Sequence, residues 1–252
     1  MPQVRSSTLL FCSWFLGLCG RGLAAGPPAI FLAGDSTTAP DGGWGDAFLS
    51  TTLTNGAIGT NYGHSGATLN SFIAGGDWGN VLSAVAEARG SYTPYVTIQF
   101  GHNDQKTEGD LEDFIPNLEK FVNEARNAGA TPIILTSLSR RKYDTSVNPP
   151  VVKDDLANVR EGAIEAAEAV GADWADLNTR SREYLNSIGP DNAWTYNLSE
   201  DDQTHLNEGG AIVFGGLVAE LLLETFPDLG GYIQVNSDLA GALDSGEYYW
   251  PS

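Results

Sequence analysis

The sequence predicts an α/β protein, a three-layer α/β/α sandwich built on a five-stranded parallel sheet. Five short apolar, β-branched runs alternate with longer helical stretches. Such alternation makes a parallel sheet covered by helices on both faces. No internal repeat or linker interrupts it, and residues 26–252 are numerous enough for one sizeable core.

The first run, AIFL at 29–32, reaches an Ala33-Gly34 corner and then Asp35-Ser36-Thr37. A short apolar run ending in Gly and Ser reads as a buried strand stopping at a tight turn. Open parallel sheets bind ligands at the carboxyl ends of their strands, where Ser36 would stand. The plainer reading is an Asx- or ST-turn that only caps a loop. After Gly42-Gly43, residues 44–53 read as a first helix, and 58–62 as a second strand ending in Gly63-His64-Ser65-Gly66. Residues 71–79 are glycine-rich and read as loop, whereas the Ala-rich 80–89 (NVLSAVAEAR) reads as helix.

The third strand, YVTIQF at 95–100, runs directly into Gly101-His102-Asn103-Asp104. Leu111, Phe114, Ile115, Leu118, Phe121, Val122 and Ala125 then have the spacing of one amphipathic helix, closed by Gly129. The fourth strand is TPIILTSL at 131–138, with Pro132 tolerable only at its start. Residues 140–150 form a polar loop, 152–170 a long helix stopped by Gly171, and 173–177 the fifth strand. A helix at 179–188 and a Gly/Pro/Asn loop lead to Asp201-Asp202-Gln203-Thr204-His205. The last helix, 207–225, contains two Gly-Gly pairs that permit close packing. Residues 228–252 read as a meandering tail, docked through Tyr248-Tyr249-Trp250 rather than offering them as a sugar platform.

Residues 1–25 read as a signal peptide rather than as part of the fold. Arg5 precedes a ten-residue apolar run at 9–18, and small residues at 22–25 offer a cleavage site. The run is too short to span a bilayer. Both cysteines, Cys12 and Cys19, fall in this leader, so the remaining chain has no disulfide, thiol nucleophile or Cys-based metal site. The formal charge of −19 grows more negative once Arg5 and Arg21 are removed. It argues against nucleic acid or an anionic membrane as partner. A secreted, extracellular and monomeric enzyme is expected. Asn197-Leu198-Ser199 is a sequon that marks Asn197 as a possible glycan site.

Three strand ends carry polar residues that a core does not need: Ser36, Gly66 and Asn103. Asp202 and His205 precede the last helix, and the topology brings all of these to one edge of the sheet. A serine hydroxyl needs a base, the base an orienting carboxylate, and a tetrahedral oxyanion needs donors. A D-x-x-H turn allows Asp202 to reach Nδ1 of His205 while Nε2 faces Ser36. The N–H groups of Ser36 and Gly66, with the Asn103 amide, would complete an oxyanion hole. Asp201 is the alternative carboxylate, disfavoured by its spacing.

Gly34-Asp35-Ser36, Gly66, Gly101-His102-Asn103-Asp104 and Asp202-x-x-His205 occur in the order of the SGNH (GDSL-like) hydrolase superfamily. Within it the chain resembles the rhamnogalacturonan acetylesterases, carbohydrate esterases of pectin breakdown, over roughly residues 29–226. The resemblance implies a flavodoxin-like fold, no cofactor or metal, and an acetylated polysaccharide as substrate. It also implies Ser36 as nucleophile, His205 as base, Asp202 as its partner, and Gly66 with Asn103 as oxyanion stabilisers. Where members often carry Arg-Ser after the second-block glycine, this chain has Ala67-Thr68, and it lacks the disulfides of some fungal members.

Alternatives remain open on sequence alone. Other esterases of this type act on xylan or small esters, and a non-catalytic carbohydrate-binding protein could share the scaffold. A metal-dependent phosphoesterase is disfavoured because the chain holds only three histidines. His102 reads as a loop-positioning residue, His64 as a satisfied loop histidine, and Asp35 and Asp104 as loop-fixing acids. The one basic cluster, Arg140-Arg141-Lys142, follows the fourth strand and is expected to bind galacturonate carboxylates.

Overall fold

The computed structural model describes residues 26–252. The leader at 1–25, with Cys12 and Cys19, lies outside the described residues. Five parallel strands form the sheet: β1 (Pro28–Gly34), β2 (Ile58–Asn61), β3 (Thr93–Gln99), β4 (Thr131–Leu135) and, after a two-residue hairpin of β5 (Tyr143–Asp144) and β6 (Val151–Val152), β7 (Asp173–Ala175). Their order across the sheet is β2-β1-β3-β4-β7. β3 is therefore central, and β1 lies beside it, paired to β2 through Ala29–Ile58 and to β3 along its whole length.

Alternation along β1 builds the two core layers. Ile30 and Leu32 point into one apolar layer, and Ala29, Phe31 and Ala33 into the other. The first layer is covered by α1 (Gly45–Thr52), α7 (Leu177–Trp194), α8 (Glu208–Thr225) and α9 (Ser237–Ser245). The second is covered by α2 (Leu69–Ala74), α3 (Asp77–Ala88), α5 (Phe114–Ala128) and α6 (Ala157–Val170); the short α4 (Glu108–Glu112) leads into α5. In the second layer Trp78 stacks on Phe121 at 3.9 Å, with Phe72 and Phe100 at the ring edges. Full burial of such rings is worth roughly 1.5–3 kcal/mol each.

Several boundaries differ from the sequence reading. The glycine-rich stretch at 71–79 is mostly helical: Thr68 and Ser71 cap α2 reciprocally, and Gly76, at φ 85°, turns the chain into α3. The helix expected at 111–127 breaks at Asp113, and Pro116 sits in the first turn of α5, where its missing N–H is harmless. The 140–150 loop closes as the β5–β6 hairpin, and α6 starts only at Ala157. α7 begins at Leu177, capped by Asp176, and runs to Trp194 through a kink at Gly189-Pro190. The tail is not irregular throughout, since α9 buries Leu239 and Leu243 in the first layer.

Candidate active site

Ser36 sits two residues beyond the end of β1, on a turn fixed by polar contacts to the neighbouring strand. Asp35 Oδ1 accepts from the Thr37 N–H at 2.9 Å and the Thr37 hydroxyl at 2.8 Å. Gln99, last in β3, donates to that hydroxyl and accepts from the Trp44 indole, each at 2.8 Å. Gly34 permits the corner, because a Cβ there would lie 2.3 Å from Thr38 Oγ1. Gln99 and Trp44 were invisible to the sequence reading; their only signal is a polar residue closing an apolar strand and a tryptophan beside a glycine pair.

The Ser36 hydroxyl lies 2.9 Å from His205 Nε2, and His205 Nδ1 lies 2.8 Å from Asp202 Oδ2. A carboxylate only accepts, so Nδ1 carries the proton and the Nε2 lone pair faces the hydroxyl. Asp202 Oδ1 accepts from the backbone N–H of Thr204 and His205, forming an Asx-type turn. Burial works to raise the Asp202 pKa, but the bonds from the His205 and Thr204 N–H groups and the His205 ring outweigh it and hold the carboxyl below its ordinary value. Asp201, by contrast, is exposed and does not bond to His205.

Asn103 is buried beside this chain of contacts. Its Nδ2 donates to the Ala67 carbonyl at 2.9 Å, and Lys106 Nζ donates to its Oδ1 at 2.7 Å. One N–H of the amide is thereby aimed and the other left uncommitted. Gly66 is exposed at φ 81°, a left-handed conformation natural to glycine. His102 is buried, donates through Nε2 to the Leu138 carbonyl and is kept neutral by its burial. It ties the end of β3 to the segment after β4. His64 is exposed and pairs with Asp77 at 2.8 Å. Among the described residues, no group of three or more His, Cys, Asp or Glu is placed to hold a metal.

The basic cluster does not act as one surface. Arg141 has no solvent exposure, so its expected contact with a polymer is corrected. Its Nε donates to Asn197 Oδ1 at 2.6 Å, and its Nη2 donates to the backbone carbonyls of Asp202 and His205. Arg140 and Lys142, on either side, instead line an open cleft of about 510 Å³ against Asp201, Asp202 and Thr204. The glycan expected at Asn197 is corrected as well. That side chain is only 7% exposed and its Oδ1 holds Arg141, which leaves little room for a glycan beneath the Asp202–His205 turn.

A model of the GDSL-like lipase/acylhydrolase family matches residues 32–211, a span that includes Ser36, Asn103, Asp202 and His205. The chain belongs to this family. As a GDSL-like acylhydrolase it is a carboxylic-ester hydrolase. It is 32% identical over 215 residues to the rhamnogalacturonan acetylesterase RhgT of Bacillus subtilis, covering 77% of this chain and 89% of that protein. Identity to the probable rhamnogalacturonan acetylesterase YesY of the same organism is 26%, over 77% of this chain and 92% of the other. Among solved structures, B. subtilis YXIM superimposes with a TM-score of 0.68 at 20% identity, over 82% of this chain and 58% of that one. The acetylxylan esterase Axe2 of Geobacillus stearothermophilus gives 0.55 at 16% identity, over 80% and 94%. These two likenesses show the shared α/β/α fold.

Proposed function

We propose that the protein is a secreted serine acetylesterase that removes O-acetyl groups from rhamnogalacturonan. The leader at 1–25 directs export, and residues 26–252 form the single catalytic domain. The observation that carries the chemistry is the unbroken Ser36–His205–Asp202 chain of contacts at 2.9 and 2.8 Å. The substrate class rests on the 32% identity to RhgT.

In the reaction, Ser36 Oγ attacks the acetyl carbonyl and its proton passes to His205 Nε2. The tetrahedral oxyanion is held by the N–H groups of Ser36 and Gly66 and by the uncommitted N–H of Asn103. The C–O bond to the sugar then breaks, and His205 returns the proton to the departing alcohol. Water attacks the acetyl-Ser36 ester with His205 again as base, releasing acetate. Asp202 holds the imidazole in the required tautomer and stabilises the imidazolium.

Arg140 and Lys142 supply the positive charge that an acidic protein needs to hold an acidic polymer, and their cleft opens beside Asp202. Acetate release from acetylated rhamnogalacturonan, homogalacturonan, xylan and mannan tests the reading. Rhamnogalacturonan should be the best substrate, and Arg140→Gln/Lys142→Gln should lower kcat/KM on it more than on nitrophenyl acetate, most at low salt. Preference for xylan or mannan would overturn the substrate assignment.

A further inference from the structure

Separate from the cleft of Arg140 and Lys142, a second recess lies near the site. It consists of two clefts of about 440 Å³ each that share Asn207, Glu208 and Ile212 and so form one groove across the start of α8. One end is formed by Asp41–Gly43 and the outer face of α1; the other is closed by Trp250. Gly42 stands against the catalytic histidine, since a Cβ on it would meet His205 Cβ at 3.4 Å, and its carbonyl accepts from Leu206. The groove therefore begins one backbone thickness from the base.

Trp250 is held as a platform. One face stacks on Tyr196 with ring centroids 6.1 Å apart and planes 3° from parallel. Its edge rests on Gly209, where any Cβ would lie 2.8 Å from the indole. The Tyr196 hydroxyl donates to the Tyr249 carbonyl, so the tail is already anchored without Trp250. Yet the indole remains 49% exposed at the lip of the groove. A fixed, half-exposed aromatic face at a groove with an apolar floor (Leu206, Ala211, Ile212) and acceptor-rich walls matches the C–H face and hydroxyl rim of a pyranose.

The charge on the walls selects which pyranose. Asp41, Asp46 and Glu208 contribute carboxylates, and among the described residues no Lys, Arg or His lines either cleft. A galacturonate carboxylate would meet like charge there, whereas neutral sugar hydroxyls donate well to these oxygens. We infer that this groove is a subsite for a neutral glycosyl unit of the polymer, stacked on Trp250 and bonded by Asp41 and Glu208. The inference rests on the acetylesterase reading and deepens it. With uronate-binding charge in one cleft and a neutral-sugar groove in another, the enzyme distinguishes the uronate from the neutral units of its substrate.

The test separates this from the chemistry. The inactive Ser36→Ala protein should be retarded on electrophoresis through gels containing rhamnogalacturonan more than through gels containing homogalacturonan. Trp250→Ala in that background should abolish the difference. In the active enzyme, Trp250→Ala should raise KM on acetylated rhamnogalacturonan oligosaccharides by about five- to tenfold, beyond any change on nitrophenyl acetate, as loss of one aromatic contact implies. Ser50→Trp, which obstructs the groove from the exposed face of α1, should do the same without touching the tail. Equal retardation by both polymers, or no retardation, overturns the inference, as does an unchanged polymer KM in both variants. Failure of the wild type on nitrophenyl acetate would instead count against the acetylesterase reading itself.

Discussion

The buried guanidinium of Arg141 donates to the backbone carbonyl of His205, the residue whose ring faces Ser36. The same side chain bonds the carbonyl of Asp202, and its backbone N–H donates to Gln203 at 2.8 Å. One residue thus grips the Asp202–His205 turn at three points. Burial lowers its pKa to about 10, against the raising effect of Asp202, and it remains a cation at working pH. Arg141→Gln strands two carbonyls and Asn197 Oδ1, at a cost of about 1–3 kcal/mol for each group left without a partner. The expected outcome is a lower Tm and a kcat reduced by one to two orders of magnitude, roughly what a misplacement of 1 Å produces. KM for nitrophenyl acetate should change much less than kcat. Arg141→Lys, which keeps the charge but loses the fork, should recover only part of the loss. A kcat as high as wild type in folded Arg141→Gln would remove its positioning role.

Ser36→Ala and His205→Ala should each abolish nearly all acetate release, and the double variant should be little worse, because groups that act as a unit are not additive. Asp202→Asn leaves an amide to face His205 Nδ1 and disturbs the tautomer, so its loss should be large but smaller. Asp201→Asn, at an exposed residue outside the contact chain, should lose far less than Asp202→Asn. Substantial turnover in folded Ser36→Ala would refute the covalent mechanism.

Asn103 has one N–H fixed on Ala67 and its oxygen held by Lys106, so its free N–H has a set direction. Asn103→Ala should lower kcat by about 10²–10³, the usual loss of one oxyanion donor, with little change in KM for a small ester. Lys106→Met, which leaves the amide in place but unheld, should reduce kcat by a smaller factor. A rise in KM at constant kcat would make Asn103 a ground-state binding residue instead.

The sheet was legible because its signals are local: β1 to β4 are short runs carrying Val, Ile or Thr, each followed within a few residues by Gly or Ser. Asp202 and His205 were legible because their spacing alone lets a carboxylate reach its imidazole. Arg141 was misread because sequence shows its charge but not its direction. Between Arg140 and Lys142, both facing the cleft, it turns inward to carbonyls some sixty residues away. Asn197 misled in the same way, as a sequon says nothing of burial. Residues 71–79 hid two helix ends because Thr68 is capped by Ser71 rather than by the Glu or Gln that usually marks such a box. The stretch 111–127 was read as one helix because its apolar period continues across Asp113, the residue at which α4 ends and α5 begins.

Asp104 carries the last prediction. It follows the proposed oxyanion residue and is fully buried. Its Oδ1 accepts from the Leu69 N–H at 2.8 Å, while Oδ2 is buried without a partner. Burial raises its pKa from 3.8 to about 7, only partly opposed by the Leu69 bond, and Asp35 adds to the rise. The folded state therefore keeps a proton that the unfolded state releases near pH 4. Between those values the folded protein binds more protons, so this group makes stability fall as pH rises from about 4 to 7 and then level off. Asp104→Asn keeps a carbonyl for Leu69 and removes the titration. Relative to wild type, its stability should improve steadily from pH 4 to pH 7, by up to about 4 kcal/mol. His102, whose pKa burial lowers, acts in the opposite sense, and Glu220, raised to about 7 by burial, in the same sense. Both are present in the two proteins and drop out of the difference. Thermal unfolding of the pair at four or five pH values reads the effect, and parallel Tm curves would show that Asp104 is ionised throughout.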